Sequence, residues 1–521
     1  MQTILITTSG IGSRLGNLTK FLNKSLIRVG NKFSICYIID KYDIKNTQFV
    51  ITLGYLGHLV KEFLNIAYKN NNFIFIEVDN YDREGSSLVY SLLQAKNALQ
   101  CPFTFYCCDS ITLDNININN IKHNILYVAE SDDGSSYASI NIDKNKVLNI
   151  NPKGENRFDY VYTGISYIYD YSEYWKNLEA LYLEQSNNKE LSDIHVISLL
   201  LNKENIFEYK ILSKWYDIGN TKCFNIAINN IKCNYDVLYK DTESICFLDD
   251  KVIKFMHDKN NINNRVIRGK TLYPNAAKIL DYSEHFFSME YVEGIVFSKN
   301  YIYGNIYKLL NWAYDNLWIN KIVDSKYIDI CNKFYYEKTK DRIKQLNHYD
   351  YANINGINIL SINELLNKVD WNFLYTDTFY QFHGDFILDN IICNTDGLYK
   401  LIDWRQDFGG EISHGDMYYD LAKLRHNIIF NHANISNNLY KIEIENDSIL
   451  VDLKCNYFLI QQLEDYDRFI IEKGLNLKKI KILTALIWLN MSPLHEYNVS
   501  KLLFYFGKYN LALALGDYTL P

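Results

Sequence analysis

Proline is scarce in this chain: 5 residues in 521, against 44 tyrosines. Asn, Ile and Lys are abundant, so no single Asn, Tyr or Lys carries weight by itself. The 10 cysteines include no Cys-x-x-Cys pair, and no spacing suits a zinc site. Cys107 and Cys108 lie in an apolar run and read as small buried side chains. No charged leader with a long apolar core opens the chain at Met1–Ile6, so no signal peptide is expected. The apolar run around Leu483–Leu489 is far too short to span a bilayer. A cytoplasmic protein without membrane insertion is the expectation. No basic block stands out, and the net charge of −7 argues against nucleic acid as the partner.

What is present is ordinary for a globular protein: 48% hydrophobic and 22% charged residues. The length predicts two or three domains. No internal repeat or low-complexity linker is visible. The first third alternates strand and helix signals. Thr3–Thr8, Phe49–Gly54, Phe73–Glu77 and Phe103–Cys108 are short apolar runs, and His58–Tyr68 and Ser86–Leu99 carry helical spacing. That pattern predicts an α/β fold with a Rossmann-like, mainly parallel sheet. Ligands bind at the carboxyl ends of such strands, which points to the loops after Thr8 and Cys108. The pattern breaks at Asn220–Asp241, and a domain boundary is expected near residue 230. A fresh strand series follows at Cys246–Leu248, Val252–Phe255 and Phe286–Glu290. From about residue 305 helical patterns dominate, broken by a loop-rich stretch at 383–416. This predicts a bilobal α+β domain over 231–521, with a small lobe at about 240–295 and a helical lobe at about 296–521.

Two constellations carry chemistry. The first begins Thr8-Ser9-Gly10-Ile11-Gly12-Ser13-Arg14-Leu15-Gly16, followed by Lys24. A strand feeding a glycine turn can turn backbone N–H groups toward phosphates. Arg14 offers a fork of donors and Lys24 a point charge. With these residues the chain resembles the sugar-1-phosphate and phosphocholine nucleotidyltransferases over about residues 1–230. The resemblance implies that Ser9, Gly10, Gly12 and Ser13 cradle the nucleotide. It places metal-binding aspartates at Asp109 and at Asp217 in Trp215-Tyr216-Asp217-Ile218-Gly219. It assigns Glu84, Gly85 and Ser86 to base or acceptor recognition, and Lys153 to the acceptor phosphate, ahead of Tyr162-Thr163-Gly164-Ile165. Two positions depart from the family: Thr7-Thr8-Ser9 replaces small residues, and Asn23 stands where the family has Pro. In the implied reaction an acceptor phosphate attacks the α-phosphorus of a nucleotide. Two anions must meet, so Arg14, Lys24 and Mg²⁺ held by Asp109 and Asp217 would neutralise charge.

The second constellation is Phe382-His383-Gly384-Asp385-Phe386-Ile387-Leu388-Asp389-Asn390-Ile391, then Leu401-Ile402-Asp403-Trp404. Asp385 can accept the proton of an attacking hydroxyl, and Asn390 and Asp403 can hold Mg²⁺ beside nucleotide phosphates. This resembles the aminoglycoside phosphotransferase and choline kinase superfamily over about residues 240–521. The resemblance implies a phosphate-binding Lys254 on a strand, and a hinge at Glu290–Val292 whose backbone holds adenine. The usual helix glutamate partner of that lysine is missing, since no Glu lies between Lys254 and Glu284. Asp258 is a candidate substitute. Asp416 and Asp420 read as structural.

Choline kinases of this superfamily often carry Glu where this chain has Arg405, and a cation is electrostatically wrong beside choline. Pairing with Asp407, Glu411 or Asp416 would neutralise it, and Trp404, Tyr418 and Tyr419 keep a cation cage open. The acceptor alternatives are choline or ethanolamine against a sugar, polyol or anionic alcohol. Together the two resemblances imply consecutive steps on one chain. ATP phosphorylates a small alcohol or sugar, and CTP, or another NTP, then caps the phosphomonoester with release of pyrophosphate. The product would be an activated precursor for bacterial surface polysaccharide or lipid decoration. A sugar-1-kinase joined to a UTP-, GTP- or dTTP-dependent pyrophosphorylase is the rival. A non-catalytic regulator is a third reading, which the full set of charged groups disfavours. A homo-oligomer is compatible with all three.

Overall fold

The computed structural model describes residues 2–69, 72–201, 206–235, 240–299, 305–394, 397–454 and 457–519. The chain divides into two compact units, residues 1–259 with 280–289 and residues 260–279 with 290–521. Among the described residues no helix is long and apolar enough to cross a membrane.

The first unit is built on a nine-stranded sheet. Its strands are β1 Gln2–Thr7, β2 Thr47–Leu53, β3 Asn72–Glu77, β4 Phe103–Cys107, β5 Asn124–Ala129, β6 Ser139–Asp143, β7 Lys146–Asn151, β8 Tyr160–Ile168 and β9 Phe207–Ile211. The spatial order is β3-β2-β1-β4-β8-β5-β9-β7-β6. β3, β2, β1 and β4 run parallel, as expected of the apolar runs near the N-terminus. Beyond β4 the expected parallel sheet becomes mixed. β8 runs antiparallel to β4 and β5, β9 is parallel to β5, and β6–β7 is a hairpin. A hairpin needs only a tight turn, whereas a parallel neighbour needs a crossover.

Successive side chains of a strand face opposite sides. Ile4 and Ile6 of β1 accordingly enter one buried cluster, with Leu59 and Phe63 of helix α1 (Gly57–Ala67), and Leu5 enters another, with Val89 and Leu92 of helix α2 (Leu88–Ala95). The expected strand series after residue 240 is present as β10 Glu243–Phe247, β11 Lys251–Met256, β12 Ile279–Tyr282 and β13 Phe286–Glu290, ordered β10-β11-β13-β12. This sheet groups with the first unit because Cys246, Ile253, Phe255 and Phe286 share the cluster of Ile4 and Phe63. Glu62 of α1 also accepts hydrogen bonds from Ser283 Oγ at 2.7 Å and from the His285 N–H at 3.0 Å.

The second unit is mostly helical. It includes helix α3 (Lys259–Leu272, all but its first residue), α4 (Met417–Ile429), α5 (Leu477–Met491) and α6 (Tyr497–Leu515). The helical lobe also carries a five-stranded sheet that was not expected. It is ordered Tyr440–Glu445, Ser448–Leu453, Asn353–Ile354, Ile357–Ile359, Tyr518–Thr519.

Candidate active sites

In the first unit the glycine loop leaves β1 and turns sharply. Gly12 adopts φ 71°, and a Cβ there would sit 3.0 Å from Thr19 Cγ2 and 3.2 Å from Lys24 Cβ. Only glycine lets the loop pass this close to Lys24. Asn23, the departure from the family's Pro, is fully buried. Its Nδ2 donates to the Thr8 and Tyr55 carbonyls at 2.9 and 2.6 Å, and its Oδ1 accepts from the Ser25 N–H at 2.9 Å. Hydrogen bonds thus fix the lysine turn to the glycine loop. Ser9 Oγ meets Ser91 Oγ of α2 at 2.9 Å.

Asp109 follows β4, and Lys24 Nζ lies 3.2 Å from its Oδ2. The short strands Trp215–Asp217 and Ser110–Thr112 run antiparallel with Asp217 opposite Ser110, which brings the second aspartate beside the first. The Ile218 N–H donates to the Asp109 carbonyl at 2.9 Å, and the Gly219 N–H donates to Asp217 Oδ1 at 2.8 Å. A Cβ on Gly219 would lie 3.0 Å from both Asp109 Oδ2 and Asp217 Oδ1, and 3.3 Å from Arg14 Nη2. Two carboxylates and a guanidinium therefore surround one point. The helix that follows, Thr221–Asn230, is capped by Asn220, whose side chain accepts from the Cys223 N–H, which leaves Asp217 without a capping role.

Burial, and then the negative charge of Asp109, push the Asp217 carboxyl above its ordinary range. Burial opposes the charge on Asp109, but Lys24 outweighs it and holds that carboxyl below its usual value. A crowded carboxylate pair of this kind suits a hard divalent cation, and Asp109 and Asp217 would be its protein ligands.

In the second unit Gly384 adopts φ 84°, and a Cβ there would collide with Arg405 Cβ at 2.6 Å and the Phe382 ring at 2.9 Å. Glycine is thus required where the loop turns into Asp385. Asp385 Oδ1 pairs with Lys423 Nζ of α4 at 2.7 Å, and its Oδ2 accepts from Asn390 Nδ2 at 3.1 Å. Burial works against the Asp385 charge, and Lys423 overcomes it, keeping the carboxyl below its ordinary value. Asp403 adopts φ 55°, and its Oδ1 accepts from Arg265 Nη1 of α3 at 2.7 Å. The Ile402 N–H donates to the Asn390 carbonyl at 2.9 Å, which ties the two motifs together. Asn390 uses its side-chain N–H on Asp385, so its Oδ1 is the atom left to meet a cation. With Asp403 this makes an all-oxygen donor pair suited to Mg²⁺.

Behind the loop, buried Asp420 accepts from the His383 and Gly384 N–H groups, each at 2.6 Å, and from Trp318 Nε1 at 3.1 Å. Burial pushes its carboxyl up to about 6. Arg268 Nη2 donates to the Phe382 and His383 carbonyls at 2.6 and 3.2 Å. Burial lowers the His383 imidazole to about 4, and Ile402 O lies 2.9 Å from its Nε2.

No family model matches the chain, and no curated protein does. Among solved structures, a protein named as a glucose-1-phosphate thymidylyltransferase of Bacillus anthracis aligns at 22% identity and TM-score 0.39, over 46% of this chain and 98% of its own. The CTP:phosphocholine cytidylyltransferase of Streptococcus pneumoniae aligns at 19% and 0.37, over 44% of this chain and 100% of its own. The inositol-1-phosphate CTP transferase of T. maritima aligns at 19% and 0.36, over 46% and 98%.

The structure brings together Arg14, Lys24, Asp109 and Asp217 in one unit, and Asp385, Asn390 and Asp403 in the other. Others stand apart. Lys153 is exposed in the turn after β7 and, among the described residues, forms no hydrogen bond or ion pair. Ser13 is exposed, and a Cβ on Gly10 would meet nothing within 4 Å. Exposed Glu84 and positive-φ Gly85 form, with Ser86, the turn before α2, which Ser87 caps. Lys254 is half-buried on β11 opposite Ile245. The hinge expectation meets an engaged Glu290, which bonds Lys278 through its N–H and its carboxylate, while Val292 lies in the irregular link that follows. Asp258 is exposed. Sequence reasoning missed Tyr137, whose hydroxyl donates to Asp217 Oδ2 at 3.3 Å, and also Lys423, Arg265 and Arg268. The two arginines sit one turn apart on α3, but nothing in the sequence links that helix to the Asp403 motif. Lys423 and Tyr137 had no sequence signal either.

Proposed function

We propose that the chain is a two-headed transferase, with a nucleotidyltransferase site in the first unit and an alcohol phosphotransferase site in the second. The observation that carries it is convergence. Residues from four separated segments, Arg14, Lys24, Asp109 and Asp217, meet around Gly219, in the charge arrangement that nucleotidyl transfer needs. Asp385, Asn390 and Asp403 meet in a second such arrangement.

In the phosphotransferase site Asp385 would accept the proton of R–OH as its oxygen attacks the terminal phosphorus of ATP, giving R–O–phosphate and ADP. Lys423 holds Asp385 ionised for that task. In the other site the phosphomonoester oxygen would attack the α-phosphorus of the nucleotide and expel pyrophosphate. Lys24 and Arg14 would offset the charge that builds on the reacting phosphates. Mg²⁺ at Asp109–Asp217 and at Asn390–Asp403 would supply further charge neutralisation when bound. CTP is the first nucleotide to test, followed by UTP, GTP and dTTP, and the product is an activated group of the kind added to bacterial surface polymers.

The test is a screen of alcohols and sugars with ATP and each NTP, following ADP and pyrophosphate. Acceptor-dependent pyrophosphate release that requires ATP is the expected outcome. Absence of pyrophosphate with every NTP, including when phosphomonoesters are supplied directly, would sink the coupled scheme.

A further inference from the structure

We propose that Lys338 and Arg405, beside Asp385, form an anion subsite for the acceptor, so that the alcohol phosphorylated carries a carboxylate or phosphate group rather than an ammonium. This rests on the phosphotransferase reading of the second unit and names its substrate class. Two cations occupy the same aromatic ring: Lys338 Nζ lies 4.1 Å from the Phe334 centroid and the Arg405 guanidinium 5.1 Å from it. A quaternary ammonium needs an open aromatic face, and here the chain's own cations cover it.

Both cations belong to the Asp385 neighbourhood. The Arg405 N–H donates to the His383 carbonyl at 3.1 Å, two residues before Asp385, and Arg405 Cβ lies where a side chain on Gly384 would collide with it. Among the described residues neither Lys338 nor Arg405 has a carboxylate partner. Of the three acids that could have neutralised Arg405, Asp407 reaches it only through its backbone carbonyl, at 3.0 Å from Nε. The Asp407 carboxylate accepts from the Gly410 N–H. Glu411 accepts from Ser413, and Asp416 binds Tyr335.

The backbone supports the arrangement. Asn332–Glu337 is a π-helical segment, and Lys338–Ile343 continues it as α-helix. Such π segments recur at functional sites because they re-aim side chains. Arg342, one turn after Lys338, lacks a carboxylate partner among the described residues as well. Burial, then repulsion from Arg405, Lys423 and Arg342, lowers the Lys338 ammonium well below its ordinary value, with Asp407 pulling the other way. A bound anion would add to that pull and favour the charged form of Lys338.

The test uses the full-length chain. Binding of D-glycerate, glycerol and choline is measured by calorimetry without nucleotide, and ATP-dependent phosphorylation of the same three is measured with Mg²⁺. Glycerate is expected to bind and to be the preferred acceptor. Lys338→Gln and Arg405→Gln are expected to raise its KM by about tenfold or more while leaving the KM for ATP unchanged, with Lys338→Arg restoring it. Thermal melts establish that each variant is folded. Preference for choline or glycerol, no binding of glycerate, or no effect of a folded Lys338→Gln protein would each overturn the subsite. Lys338-dependent glycerate binding without phosphorylation of any acceptor would instead overturn the phosphotransferase reading and leave the subsite standing.

Discussion

At the residue scale, the decisive side chains are those whose charge no ordinary surface would hold in place. Lys24 is half-buried against Asp109, and that aspartate keeps its ammonium above the usual lysine value despite the opposing effect of burial. A cation so placed cannot leave without exposing a buried carboxylate. Lys24→Met is therefore expected to cut nucleotidyl transfer by about 10²–10³-fold, the size seen when one preorganised charge-stabilising group is removed. Pyrophosphate release under saturating nucleotide measures it, and an unchanged rate would remove Lys24 from the site. Gly219 makes a subtler prediction. An alanine Cβ would press on Asp109 Oδ2 and Asp217 Oδ1 at 3.0 Å, tighter than ordinary contact, so the carboxylates must spread. Gly219→Ala is expected to raise the Mg²⁺ concentration needed for half-maximal pyrophosphate release, with little change in melting temperature. An unchanged Mg²⁺ requirement would show that the two carboxylates do not share a cation.

At the element scale, the Asp385 loop is held from behind by one buried carboxylate on α4. Asp420 accepts from two loop N–H groups and from Trp318, and replacing it with Asn costs an acceptor and offers a donor instead. Asp420→Asn is expected to lower the phosphotransfer kcat by loosening the loop. It also predicts a pH dependence of known sign. Burial pushes the folded carboxyl up to about 6 from an ordinary value of 3.8, so the charged form is disfavoured in the fold. Its stability contribution is fully present below pH 3.8 and lost as pH rises through 6. Relative to Asp420→Asn, the wild type should lose up to about 3 kcal/mol between pH 4 and pH 7 and stay level above that. Urea titrations of both proteins across this range check it, and a constant difference would refute the shift.

The same scale shows what the sequence could and could not convey. The parallel strands β1 to β4 were legible because each is a short apolar run between turn signals. The hairpin Tyr440–Leu453 was missed: Ile442 and Ile444 alternate with polar residues, but Leu450 breaks the alternation on the return strand, and the surrounding pattern is helical. Asp385, Asn390 and Asp403 stood out by their spacing, whereas Asp109 and Asp217 were reached through the family resemblance. Lys423, Lys338 and Tyr137 were not visible, because their roles depend on distant segments meeting. In a chain rich in lysine and tyrosine, composition supplies no contrast to mark them.

At the scale of the whole molecule, the two proposed sites draw on disjoint residues: Arg14, Lys24, Asp109 and Asp217 in one compact unit, and Asp385, Asn390, Asp403 and Lys423 in the other. Substitutions with no shared partners act independently. Asp385→Asn removes the proton acceptor and keeps the side chain's shape. It is expected to abolish ATP-dependent phosphorylation of the acceptor while leaving pyrophosphate release from a supplied phosphomonoester intact. Lys24→Met should give the converse. Mixing the two variants in one tube with the free alcohol, ATP and nucleotide should then restore the overall conversion, because the phosphomonoester made by one protein can diffuse to the other. Recovery close to the wild-type rate would mean that the intermediate exchanges freely. Recovery only at high protein concentration would mean that joining both heads on one chain retains the intermediate. Loss of both activities from either single substitution would show that the two sites are not separate, and with it the two-headed scheme would fall.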